Sequence, residues 1–242
     1  NALDIASSLT TTSTGTLTVD ASGMKAQSTG TTTFDIATTS QGTGGTATIT
    51  GSGGDDIIVV GNFASTINGE AGNDALTGGT KADTINGGAG NDTITGSGGN
   101  DTLSGGAGND AFTATTAGNY TITGGAGNDT ADFGGTLTNA DSFDGGDGTD
   151  TLFLSNTSAT TINAYSITAT NTLNDKISNV EKVDFGSDLA QSVDLGRLDG
   201  ISDVIIDGLG GALTLSGIAA TNNFKIKGTT GAALTLTLAD AT

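Results

Sequence analysis

Between Gly42 and Thr113 the chain repeats every nine residues, in eight unbroken copies that begin at Gly42, Gly51, Val60, Gly69, Gly78, Gly87, Gly96 and Gly105. Two of the cleanest read Gly87-Gly88-Ala89-Gly90-Asn91-Asp92-Thr93-Ile94-Thr95 and Gly105-Gly106-Ala107-Gly108-Asn109-Asp110-Ala111-Phe112-Thr113. A short fixed period is the mark of a solenoid, whose coils stack on their neighbours instead of enclosing one central core. Position eight is large and apolar throughout: Ile49, Ile58, Ile67, Leu76, Ile85, Ile94, Leu103 and Phe112. A short strand with one inward apolar residue, then a glycine-rich turn free to take positive φ, satisfies that pattern. Two half-turns of nine close a coil of eighteen residues, so equivalent positions meet at i and i+18.

Such a column is thin. At roughly 25 cal/mol per Å2, one large apolar side chain per half-turn does not offset the ordering entropy of so many glycines. Position six supplies a second periodic element, a carboxylate: Asp56, Asp74, Asp83, Asp92, Asp101 and Asp110, then Asp129 and Asp150 in two later copies that begin at Gly124 and Gly145. Ala47 and Ser65 interrupt the series. At i+18, Asp56 lies under Asp74, Asp74 under Asp92, Asp83 under Asp101 and Asp92 under Asp110. Bare carboxylates stacked one strand apart repel. A divalent cation between coils removes that repulsion, and two carboxylates plus about four carbonyls make the oxygen shell calcium prefers. A lone Asp in a Gly-rich turn is ordinarily a hydrogen-bonding turn residue; recurrence every nine residues argues for a ligand.

Composition narrows the chemistry further. The 242 residues include no Pro, Cys, His or Trp, so the usual general base, thiol nucleophile and soft metal ligands are missing, and oxygen ligation favours a hard cation. With 26 acidic against 7 basic residues the net charge is -19, which repels nucleic acid and anionic membrane. No apolar run approaches a membrane span. Asn1 at the start reads as a fragment or processed product, and zero Cys fits either a reducing compartment or a secreted protein stapled by metal.

The expected organisation is a β-rich N-terminal flank of solenoid coils over residues 1–41, the repeat roll over 42–153 and a β-rich C-terminal region over 154–242. In the first flank, Thr16–Asp20 and Thr31–Ala37 alternate as strands do. In the last, Asn179–Phe185, Asp203–Asp207, Ala212–Ser216 and Ala233–Leu238 are strand candidates, with turns at Gly208–Gly211 and Gly228–Gly231. Wider solenoid coils without the acidic turn are expected there; a small separate sandwich reads similarly. Asp175, Asp184, Asp188, Asp194, Asp199 and Asp207 read as solvated turn or strand-face residues, while Asp144 and Asp147 leave a terminal cation site open.

The pattern G-G-x-G-x-D-x-U-x, carried here by GEAGNDALT from Gly69, GGAGNDTIT from Gly87, GSGGNDTLS from Gly96, GGAGNDAFT from Gly105, GGAGNDTAD from Gly124 and GGDGTDTLF from Gly145, resembles the hemolysin-type RTX calcium-binding nonapeptide repeat. The resemblance covers roughly half the chain. It implies an all-β parallel β-roll with calcium between neighbouring coils and, usually, type I export to the exterior. By position, the eight aspartates above would give side-chain oxygens. Gly69, Ala71, Gly72, Gly87, Gly88, Ala89, Gly90, Gly105, Gly106, Ala107 and Gly108 would give backbone oxygens. Two copies depart: VGNFASTIN from Val60 lacks the Asp, so its pairing with Asp83 should yield no full site, and GGTKADTIN from Gly78 carries Lys81 where Gly is expected, in a backbone that must accept the turn conformation.

No His-Glu-x-x-His helix and no G-x-S-x-G elbow occurs, so no enzyme is expected within these residues. Overall the chain looks like a segment of a bacterial RTX-type S-layer protein: secreted, extracellular, calcium-folded at the cell surface and self-assembling into a lattice, with a cell-surface polysaccharide as candidate anchor. The alternative is a non-catalytic RTX domain of a larger type I-secreted enzyme, toxin or adhesin, its active site upstream of Asn1. An ice-binding solenoid is disfavoured because the Thr residues keep no single repeat position. A polysaccharide lyase is disfavoured because Arg197 is the sole Arg.

Overall fold

The computed structural model describes residues 16–20, 32–36, 45–138, 140–154, 176–185, 192–194, 200–206, 213–218, 222–226 and 234–238. All of its regular structure is strand. One sheet orders β1 (Thr16–Asp20), β3 (Thr46–Thr50), β5 (Ala64–Ala71), β7 (Thr84–Ala89), β9 (Gly99–Ala107), β11 (Gly118–Ala126), β13 (Ser142–Asp147) and β15 (Ile177–Ser178) side by side. The facing sheet orders β2 (Thr32–Ile36), β4 (Asp56–Val60), β6 (Ala75–Thr77), β8 (Thr93–Thr95), β10 (Ala111–Thr113), β12 (Thr130–Asp132), β14 (Thr151–Leu154), β16 (Lys182–Phe185), β18 (Asp203–Ile206) and β20 (Asn223–Ile226). A third sheet pairs β17 (Ser192–Asp194), β19 (Leu213–Ile218) and β21 (Leu234–Leu238). The chain alternates between the two long sheets, and neighbours within each pair in parallel. This is the parallel β-solenoid that the nine-residue period encodes, with one half-turn per strand.

Register stacks like on like. Ile58, Leu76, Ile94, Phe112, Ala131, Leu152, Val183, Val204 and Phe224 form one column. Ile49, Ile67, Ile85, Leu103, Ile122, Phe143 and Ile177 form the other. All but the half-buried Phe224 are in the core.

Strand alternation explains what lies beside them. Side chains two apart share a face, so positions six, eight and one of the next copy all point inward, as in the buried set Asp74, Leu76 and Gly78. The carboxylate is thus an interior residue flanked by apolar ones. Further along, the inward position after the apolar column is Phe133, Leu154, Phe185 and Ile206. Apolar bulk takes over where the acidic code fades, which is how the late coils bury enough surface without it.

Of the strand candidates in the C-terminal region, four or more residues of each recur in β16, β18, β19 and β21; β17 and β20 were not evident from alternation. The turns at Gly208–Gly211 and Gly228–Gly231, and the residues Asp175, Asp188, Asp199 and Asp207, lie outside the described residues.

Candidate metal centre

The eight position-six aspartates are all buried, none more than 2 % exposed. They fall on two edges of the roll. On the first edge, where each strand of the first sheet turns into the second, stand Asp56, Asp74, Asp92, Asp110, Asp129 and Asp150. On the second, return edge stand Asp83 and Asp101.

From Asp74 onward, each first-edge carboxylate caps the coil before it. Asp74 Oδ1 accepts from the N–H of Asp56 at 2.8 Å, Asp92 Oδ1 from Asp74 at 2.8 Å, and Asp110 Oδ1 from Asp92 at 2.8 Å. Asp129 and Asp150 continue at 2.7 Å each, across offsets of 19 and 21 residues. The i+18 stacking of Asp56 under Asp74, Asp74 under Asp92 and Asp92 under Asp110 is therefore a chain of hydrogen bonds. Asp83 under Asp101 shows the same bond at 2.9 Å, and Ser65, where the repeat lacks its Asp, gives its N–H to Asp83 Oδ1 at 2.7 Å.

The second carboxylate oxygen is what marks a ligand site. Oδ2 of Asp74, Asp92, Asp101, Asp110, Asp129 and Asp150 is buried without a hydrogen-bond partner. Orphaned buried acceptors are rare and costly, and here they recur coil after coil. Position-one glycines show where these atoms aim. A Cβ on Gly87 would overlap Asp92 Oδ2 and stand 2.8 Å from the carbonyl oxygen of Gly105; one on Gly69 would overlap Asp74 Oδ2 and stand 2.6 Å from that of Gly87. Asp129 Oδ2 and the Gly145 carbonyl converge likewise at Gly124. Each cradle thus joins a carboxylate to a carbonyl of the next coil. Among the described residues no three acidic side chains converge, so main-chain oxygens must complete a cation shell. Hard-cation chemistry fits that donor set.

Two aspartates are exceptions. Asp56 Oδ2 accepts from the N–H of Ser52 at 2.6 Å, and Asp83 Oδ2 from the N–H of Gly79 at 2.7 Å.

Backbone conformation separates the turn types. Positions two and four are left-handed in the regular turns, as at Gly88 (φ 115°) and Gly90 (φ 132°), with Glu70 (φ 81°) and Ser97 (φ 68°) as non-glycine occupants of position two. Lys81 is not among the residues with positive φ. Its turn adopts another path, and the expectation that Lys81 must accept the regular conformation is corrected. The N–H of Gly79, turned onto Asp83, accompanies that change. A second adjustment concerns the expected backbone donors: the carbonyls of Ala89 and Ala107 accept the N–H of Gly72 and Gly90 at 2.8 and 2.7 Å, so each has one lone pair already engaged.

Burial without partners displaces the acidities. Desolvation pushes Asp74 up to about 7, aided by repulsion from Asp92, Asp56 and Asp55 and opposed by the hydrogen bond from Asp56. Desolvation likewise lifts Asp101 and Asp110 to about 6, and raises Asp83, Asp92, Asp129 and Asp150.

Four features were not read from the sequence. Glu181 Oε2 accepts from the N–H of Asp150 at 2.8 Å, extending the ladder across 31 residues; the one clue was an acid two residues before the inward Val183, as Asp150 precedes Leu152. Position five, treated as variable, forms an exposed amide ladder: Asn91 N–H to Asn73 Oδ1, Asn109 to Asn91 and Asn128 to Asn109, at 2.7 to 2.8 Å. On the return edge, Tyr120 takes the register place of an aspartate opposite Asp101. Asp141 closes that turn, Oδ1 accepting from Tyr120 N–H and Oδ2 from the N–H and hydroxyl of Thr138. Asp144, left open as a terminal ligand, accepts Asn179 Nδ2 at 2.7 Å; Asp147 is exposed.

A family model for the RTX calcium-binding nonapeptide repeat matches in four copies, at residues 50–80, 77–112, 114–135 and 137–156. The roll is built of RTX calcium-binding repeats. RTX repeats bind calcium, and the roll they form is a structural rather than a catalytic unit. RTX proteins are typically exported by type I secretion, consistent with an extracellular setting. No curated protein and no solved structure matches the chain. Among the described residues no helix is long and apolar enough to cross a membrane. The third RTX copy contains Tyr120.

Proposed function

We propose that this chain is a calcium-folded structural segment of a secreted bacterial surface protein of the S-layer kind. The observation that supports it best is the file of orphaned Oδ2 atoms on the first edge, with a carbonyl of the next coil beside those of Asp74, Asp92, Asp129 and Asp150. In this reading Asp74, Asp92, Asp110, Asp129 and Asp150 hold the ions with the position-one carbonyls. Asp56, Asp83 and Glu181 chiefly brace the backbone. Calcium supplies positive charge between carboxylates and ties each coil to the next. Without it, a glycine-rich chain of charge -19 resists compaction and stays fit for export. Sites of roughly 10^-4 to 10^-3 M affinity, typical of extracellular modules, would fill only outside the cell.

Lattice assembly is the finer part of the reading. It is supported by the net charge of -19, which makes a divalent cation the natural bridge between copies. Light scattering and negative-stain electron microscopy of the chain in millimolar calcium test it. Growth into sheets that EGTA reverses is the expected result. A folded monomer at every calcium level would instead make the roll a rigid module of a larger exported protein.

A further inference from the structure

On the return edge one aromatic residue stands in the aspartate column. Tyr120 pairs in register with Asp101, and its N–H donates to Asp141 Oδ1 at 2.7 Å, as an aspartate there would donate to the next coil. The side chain is 1 % exposed. Its ring lies over Gly96: a Cβ on that glycine would stand 2.7 Å from Tyr120 Cε1 and 2.7 Å from Asp101 Oδ2. At the matching point of the first edge stands the carbonyl of the next coil's glycine. The phenol O–H donates to the carbonyl of Ser97, and the Thr116 hydroxyl lies 2.7 Å from the phenol oxygen. Phe133 backs the ring edge-on, with centroids 6.4 Å apart.

We infer that Tyr120 replaces a calcium ion: its ring fills the cradle opposite Asp101, and its hydroxyl ties the turn at Ser97 to the coil above without a cation. The inference rests on the calcium reading of the roll and adds that loading is one-sided. A cation in a turn draws on main-chain carbonyls and separates carboxylates. Tyr120 does both by other means, engaging the Ser97 carbonyl with a proton and placing an uncharged ring where the next carboxylate of the column would stand. The brace sits where one inserted residue lengthens the coil, Asn119 pairing with Asn100 at an offset of 19. The rigid ring packs across the lengthened turn that this residue creates.

Calcium counting by equilibrium dialysis on the full chain tests the inference. Tyr120→Asp reopens the cradle and should bind one more calcium than the unsubstituted chain. The same count in a folded variant overturns the inference. Tyr120→Phe keeps the ring and removes the hydroxyl; its thermal midpoint in saturating calcium should fall by roughly 2–4 °C, the loss of about one buried hydrogen bond in a chain of this size. An unchanged midpoint likewise overturns it, even where Tyr120→Asp fails to fold. An unsubstituted chain that binds no calcium sinks the underlying calcium reading, a failure separable from both.

Discussion

Stripped of calcium by EGTA at pH 7.5, the chain is expected to lose its β-type circular dichroism, and to regain it when calcium returns. The reason is local. Six buried Oδ2 atoms have no partner, and along the first edge the carboxylates stack one coil apart. Ionised and unpaired in a low-dielectric interior, they oppose the fold. Acid should substitute partly for the metal. Asp74, Asp101 and Asp110 have folded-state pKa values of about 7, 6 and 6, above the ordinary carboxylate value of 3.8. A raised value means the folded, metal-free roll binds protons more tightly than the unfolded chain. Its stability is then greatest below about pH 4 and is lost as pH rises through 6 to 7. In EGTA, circular dichroism should therefore recover as pH falls from 7.5 toward 4.5, also relieving the charge of -19. Calcium requires the ionised form, so calcium binding to the roll should weaken over the same interval. A metal-free spectrum that loses β-structure on acidification contradicts this assignment.

Asp92→Ala should be the most damaging single change on the carboxylate column. Asp92 Oδ1 holds the N–H of Asp74, its own N–H is held by Asp110, and its Oδ2 faces the cradle at Gly87. Truncation leaves the Asp74 amide buried and unpaired, about 1–3 kcal/mol by itself, and removes a ligand from the middle of a cooperative stack. The calcium midpoint, followed by circular dichroism, should rise about tenfold or more. Asp56→Ala should do much less. Its Oδ2 is already satisfied by Ser52 and it ends the acidic column. Equal effects of the two substitutions would refute the i+18 coupling.

Much of this was legible because the repeat is local and the solenoid adds little that is not. Nine-residue spacing places Ile58, Leu76 and Ile94 in one column and Asp74, Asp92 and Asp110 in another without further information. What the period hides is what breaks it. Tyr120 follows an insertion, differs in residue type and so falls out of any aspartate-based pattern. Glu181 lies 31 residues beyond Asp150, across a stretch with no repeat to count through. The Asn73–Asn128 ladder was invisible for a different reason: position five carries no apolar or acidic signal, and its role appears only when stacked amides meet. Which Oδ2 stays orphaned depends on which N–H reaches it, as Gly79 does for Asp83 and no residue does for Asp92. Turn paths decide that, and the turn that carries Lys81 at position four takes a different one.

The most direct measurement is an anomalous difference map from crystals of this chain grown in calcium. The account requires a file of peaks along the first edge, each about 2.3–2.6 Å from Oδ2 of Asp74, Asp92, Asp110, Asp129 or Asp150, and none between Asp101 and Tyr120. A folded roll whose first-edge Oδ2 atoms have no anomalous peak within that distance would contradict it.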